Sequence, residues 1–335
     1  MKAGVPDCWL HIGAPKTGST ALERFLSGHQ ARLAEQGLCY PSSVMRACGH
    51  HDLAFLLGGG YPGWATPQDR GLDELLAALK VEIAAAGRPV ILSSENFYLL
   101  SDPQMVARAL DGIGLAPART RVLVYLRRQD EAHLSWYNQA VKAQGYAGEL
   151  EDCIAECRDL WDYDARLEAW AAVFGEGNIF VRPFDDLPGG DVRRDFLAVL
   201  GLPEAGFDLT GAPVNTALNP DLLAYQRAVN RLPLSPQEKR RHHKPLMALS
   251  RAAAGSGLFV EGPLMDGAAR RDLLARYQSG NRAVARRWLG RDELFKHIAS
   301  DMPQAAAHPE LTPEKLAAIQ GWLLARPDSR PEPPP

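Results

Sequence analysis

No apolar run in the sequence reaches the ~18 residues that a membrane-spanning helix needs, and none of signal-peptide length precedes the glycine-rich loop at 13–18. The expectation is a soluble, cytoplasmic protein. Cysteine is scarce. Cys8, Cys39, Cys48, Cys153 and Cys157 make an odd count without a dense framework, which excludes a disulfide-stapled fold and suits reduced thiols. The Cys153/Cys157 pair has no matching His/Cys pair to complete a metal site and reads as buried structural cysteine. Charge of one sign is also lacking: a net charge of −3 argues against bulk nucleic-acid binding, so an anionic partner must meet a local site. With 46% hydrophobic and 23% charged residues, disordered and fibrous classes do not fit. Its 335 residues allow one large α/β domain or two smaller ones.

What is present is an alternation of apolar strands and helices. The run Trp9 to Ile12 leads through a loop with Gly13, Pro15 and Gly18 into a helix from Thr20 to Leu26. Further strands are expected at Val90 to Ser93, at Val122 to Leu126 and within 177–187, with helices over 72–87, in "DPQMVARALDGI", in "DEAHLSWYNQAVKAQG" and over 191–202. Such alternation predicts an α/β, three-layer, P-loop-like fold with a central parallel sheet and ligands beyond the carboxyl ends of its strands. From about residue 206 the strand signals stop, and "PDLLAYQRAVNRL", "RRDLLARYQSGNRAVARRWL" and "PEKLAAIQGWLLA" predict helices. The expected organisation is a core over 1–205, a helical C-terminal extension of the same domain over 206–325, and a proline-rich, disordered tail over 326–335. The glycine-rich stretch after the helix start at "GHHDLAFLL" is a candidate substrate lid.

The loop "GAPKTGST" keeps the Gly13-to-Gly18 interval of a phosphate loop, but the lysine is Lys16 and Ser19 follows the second glycine. A nucleotide kinase places lysine directly after that glycine, where it reaches terminal phosphates. The loop still reads as an anion cradle. Backbone N–H groups and a helix N-terminus face one centre, and the hydroxyls of Thr17, Ser19 and Thr20 add donors.

These residues resemble the sulfotransferases that use 3′-phosphoadenosine 5′-phosphosulfate (PAPS), whose P-K-x-G-[ST]-T core holds the 5′-phosphosulfate; here that core is Pro15, Lys16, Thr17, Gly18, Ser19 and Thr20. In that family the central strand ends in an arginine that binds the 3′-phosphate, followed eight positions on by a serine, often within S-x-Y. "LVYLRRQDEAHLSWYNQ" is similar, with Arg127, Ser135 and Tyr137 in those places. The resemblance covers 9 to about 202 and extends to "YQSGNRAVARRWLGRDELF" near the C-terminus, which is similar to the closing segment of bacterial members. The R-K-G-x-x-G-D-W-K-N closing motif of the cytosolic phenol and steroid branch is lacking, so the contacts made from it cannot be carried over.

The resemblance implies PAPS as sulfate donor, 3′-phosphoadenosine 5′-phosphate (PAP) as product, no metal, and a hydroxyl-bearing acceptor, with a carbohydrate or glycolipid the expected class. Sulfuryl transfer is in-line attack by a hydroxyl, and negative charge builds on the departing bridge oxygen, a task suited to the Lys16 ammonium. A base must take the hydroxyl proton. Glu95, after the strand 90–93 and where related enzymes carry a catalytic His or Glu, fits best, with Ser93 and Ser94 able to orient it; His51 and His50 are the rivals. His242, His243 and Lys244 form a basic run that reads as a solvated face, or as an acidic-acceptor or 3′-phosphate site. Trp64, Trp136 and Tyr137 are candidates for stacking on a sugar, with core packing the alternative. A P-loop nucleotide kinase and a non-catalytic nucleotide-binding module are the other classes in view.

Overall fold

A computed structural model describes residues 5–210, 217–296 and 305–325. Its strands are β1 (Cys8–His11), β2 (Val90–Ser93), β3 (Thr120–Leu126) and β4 (Ile179–Pro183). They form one all-parallel sheet in the order β2-β1-β3-β4. Every residue of β1 and β2 is buried, as the near-continuous apolar runs require of a sheet covered on both faces. The α-helices up to β2 are α1 (Ser19–Gly28), α2 (Gln30–Glu35), α3 (His51–Leu57) and α4 (Leu72–Ala86). After β2 come α5 (Pro103–Gly112), α6 (Gln129–Gln139), α7 (Leu150–Glu156), α8 (Tyr163–Phe174) and α9 (Val192–Leu200). The remainder is helical: α10 (Pro220–Asn230), α11 (Pro236–Arg240), α12 (His243–Ala252), α13 (Gly267–Val284) and α14 (Pro313–Leu324), with no strand after Pro183 among the described residues.

The chain divides into two compact units that interleave along the sequence. The first holds 1–128, 160–213 and 277–298, and the second holds 129–159, 214–276 and 299–335. The sequence reading of a core over 1–205 and a helical extension of the same domain over 206–325 draws its bounds by element type. The supposed disordered tail at 326–335 lies outside the described residues.

In the first unit, Trp9, Ile91, Leu123 and Tyr125 from one sheet face pack with Leu22, Phe25 and Leu26 of α1 and Phe196 and Leu197 of α9. Helix α8 covers β3 and β4, packing in turn on α5. Under the α9 side, buried Asp195 accepts from the Tyr125 hydroxyl at 3.0 Å and from Arg182 Nε at 2.9 Å. The passage 277–296 returns to this unit. Arg287 pairs there with Glu168 and Glu176, Arg291 reaches Asp186 at 2.8 Å, and the Phe295 ring meets Tyr163 edge-on.

The second unit is made of helices held by buried polar anchors. Asn230 Nδ2 donates to the carbonyls of Val141 and Tyr146 at 2.7 and 2.8 Å, at the π-helical turn 140–144 that ends α6. Asp221, fully buried, accepts from Val260 N, Glu310 N and the Lys315 ammonium. Arg270 pairs with Asp130 and Glu131. Cys153 is buried and Cys157 half-buried, and all five cysteines are free.

Candidate functional site

The carboxyl end of β1 opens into the loop 12–18, and the loop's shape follows from its residues. Gly13 (φ 31°) and Gly18 (φ 79°) take left-handed backbone that glycine adopts without strain, and a Cβ on Gly18 would stand 3.2 Å from Val192 and 3.3 Å from Phe184. Lys16 takes φ 70°, a conformation a residue with a Cβ holds only when its surroundings fix it. Two contacts do so. The Thr17 hydroxyl donates to Ala14 O at 2.6 Å, and Arg127 Nη1 donates to Lys16 O at 3.2 Å.

Arg127 follows β3 directly. The Tyr163 hydroxyl donates to its carbonyl at 2.5 Å, Asp185 lies 3.8 Å from its Nε, and Asp185 also accepts from Arg128 N at 2.7 Å. Parallel pairing of β1 with β3 therefore brings the phosphate-loop motif and the strand-end arginine together. Lys16 is half-buried; burial holds its ammonium below the usual lysine range, with Glu95 opposing and Arg127 reinforcing the shift. An anion in the cradle would oppose that shift.

Beside the loop, β2 ends in Ser93 and leads through Ser94 into a short 3-10 turn, Glu95–Phe97, which Ser94 caps by accepting from Asn96 N at 3.1 Å. Glu95 is half-buried, and its Oε2 accepts from the Ser19 hydroxyl at 2.6 Å. The hydroxyls of Thr17 and Ser19 thus donate within the protein, while Thr20 is exposed.

His50 and His51 differ sharply. His50 is fully buried, with Nδ1 accepting from Ser93 N at 3.0 Å and Nε2 donating to Pro41 O at 2.9 Å, so both nitrogens serve the backbone; burial pushes it down to about 4. His51 is half-buried and burial lowers it too. Its Nδ1 stands 2.9 Å from Ser94 Oγ and its Nε2 3.4 Å from Glu23 Oε2. Glu23, a buried residue one turn beyond Ser19, was invisible to motif reading. Its signal was the four-residue spacing on α1, which puts Ser19 and Glu23 on one helix face.

The first unit thus gathers Pro15, Lys16, Thr17, Gly18, Ser19, Thr20, His51, Glu95 and Arg127, whereas Ser135, half-buried on α6, belongs to the second unit. Tyr137 is buried in the second unit, its hydroxyl donating to Gly148 O and accepting from Arg227. His242 and His243 are half-buried and Lys244 is exposed at the start of α12. Trp64 stands on the glycine-rich loop, edge-on to Phe55, and Arg46 holds that loop through Asp52 Oδ1 at 2.7 Å and Thr66 O at 2.8 Å. Among the described residues no group of three or more His, Cys, Asp or Glu side chains is arranged to hold a metal ion.

No protein-family model matches the chain. An uncharacterized protein of Archaeoglobus fulgidus is 31% identical over 212 residues, 62% of this chain and 55% of that protein, so the match spans about half the length of this relative. A solved structure of a sulfotransferase from Alicyclobacillus acidocaldarius is similar with 20% identity and a TM-score of 0.41, over 63% of this chain and 87% of that one.

Proposed function

We propose that the chain is a PAPS-dependent sulfotransferase that moves a sulfuryl group to a hydroxyl of a carbohydrate or glycolipid. The observation that carries this reading is the 3.2 Å bond from Arg127 to the carbonyl of Lys16, which joins the two motifs of the resemblance. PAPS, when bound, supplies an activated sulfuryl group whose leaving oxygen belongs to the 5′-phosphate. The loop fits such an anion: it offers the start of α1, where no side chain caps the helix, and a half-buried lysine whose charged form burial disfavours and an anion would favour.

In this reading Lys16 stabilises charge on the departing bridge oxygen, and Arg127 serves both as loop brace and as 3′-phosphate partner; Ser135 is assigned to the donor on the motif resemblance alone. Glu95 is the base. Ser19 occupies Oε2, which leaves Oε1 to take the acceptor's proton as its oxygen bonds to sulfur. His51 is the weaker rival, because Asn96 Nδ2 stands 3.0 Å from its Nδ1 and Glu23 faces its Nε2. A nucleotide kinase is disfavoured by a loop without the G-K-[ST] lysine, and a non-catalytic module by the presence of a candidate base beside the cradle.

Calorimetric titration with PAP, and with ATP and Mg²⁺, tests the donor. Wild type should bind PAP and not ATP, and Lys16→Ala and Arg127→Ala should each weaken binding about tenfold or more, the loss of one charge-assisted contact. A preference for ATP would sink the reading in favour of a kinase.

A further inference from the structure

Behind the loop lies a second polar cluster with Glu23 at its centre. Helix α1 turns Ser19 and Glu23 to the same side, where Ser19 donates to Glu95 and Glu23 Oε2 faces His51 Nε2 at 3.4 Å. An Asn96 amide nitrogen can only donate, so His51 Nδ1 accepts and the ring proton sits on Nε2, the nitrogen 3.4 Å from Glu23 Oε2. Ser94 Oγ, 2.9 Å from the same Nδ1, completes the corner.

Glu23 is 1% exposed, and its Oε1 is buried with no hydrogen-bond partner. A carboxylate with an open oxygen in such a place is costly, so the neutral acid is the stable form. Burial, with the Glu95 charge adding and the Glu95 backbone N–H opposing, pushes the carboxyl up to about 9. The backbone closes on this pair as well. A Cβ at Gly49 would stand 2.9 Å from both Glu23 Cδ and His51 Nε2, an approach open only to glycine.

We propose that Glu23 is a positioning residue: from α1 it holds the His51 ring and, together with Ser19, fixes the 94–96 corner that carries Glu95. One helix thereby orients the candidate base from two sides. The inference rests on the sulfotransferase reading only where Glu95 is called a base; the hold on His51 stands without it. Because Glu23 acts as a neutral acid, glutamine should replace it and alanine should not.

The test is the imidazole N–H signal of His51 in ¹⁵N NMR of the full chain, assigned by its loss in His51→Gln. Wild type and Glu23→Gln should show a protected Nε2–H, and in Glu23→Ala its exchange with water should be at least tenfold faster. Should Glu23→Ala not fold, Glu23→Met, which keeps the volume without an acceptor, takes its place. Equal protection in the Ala or Met variant overturns the proposal, as does loss of the signal in Glu23→Gln. In parallel, sulfate release from PAPS should fall at least tenfold in Glu23→Ala with PAP affinity within twofold, and Glu23→Gln should restore it. No PAP binding by wild type would end the sulfotransferase reading, whereas the exchange result would still decide the role of Glu23.

Discussion

Glu23 and Glu95 are two carboxyls within reach of each other at one end of a sheet, and their surroundings separate them. One is fully buried against a histidine; the other is half-buried and accepts from a serine. The folded Glu23 keeps its proton up to about 9, whereas an unfolded glutamic acid releases it near 4.5. Between those values the native state binds a proton that the unfolded chain has lost, so this group's contribution to stability is full below 4.5 and is lost as pH rises toward 9. Glu23→Gln removes that dependence. Urea unfolding of both chains across pH 5–9 should show the glutamine variant gaining on wild type as pH rises. A constant difference would mean that Glu23 titrates as an ordinary carboxylic acid.

At this scale the sequence announced Lys16, Arg127 and Glu95, because loop and strand-end positions fix where those side chains emerge. It was silent on Glu23, since a glutamate within a helix reads as a solvated face until the packing of α3 and residue 49 is known. His51 was the preferred rival of Glu95 in the sequence, and the backbone contacts of both His50 nitrogens set its neighbour apart.

Among the elements, the strands were the most legible. All four were expected, within a few residues, because apolar runs bounded by polar turns have few other ways to fold. The crossover between β3 and β4 was not. The expected connection was the helix now seen as α6, but α6 falls in the second unit, and α8, whose "YDARLEAWAAVF" mixes charge with buried tryptophan, covers the sheet instead. Helices α2 and α11 are short and gave no clear signal, and the start of α12 was read only as the basic run 242–244. A tight backbone demand falls at the start of α1. Gly18→Ala would put a Cβ at φ 79° against Val192 and Phe184, and should lower stability by about 1–3 kcal/mol. The shift of the urea midpoint measures it; an unchanged midpoint would mean that the loop relaxes at no cost.

For the whole molecule, the interleaving of the two units matters more than their sizes. A chain cut after residue 205 keeps every strand but loses 277–296, and with it the partners of Asp186, Glu168 and Tyr163 in the first unit. Such a chain should show no cooperative thermal transition by circular dichroism. Melting like that of the intact protein would show the returning passage to be dispensable. Sequence patterning had no access to this passage's destination, because a basic helix with scattered apolar residues suits many packing sites.

The returning passage also sets an order of events at the ribosome. The first unit's earlier part is complete at residue 213 and its last part ends at 298, which places 85 residues (298 − 213) of synthesis between them. At about 5–20 residues per second the nascent chain waits roughly 4–17 s with β4 uncovered along that side. Over that interval it is a client for chaperones, and slowing translation across 214–276 should lower the soluble yield without altering the finished protein.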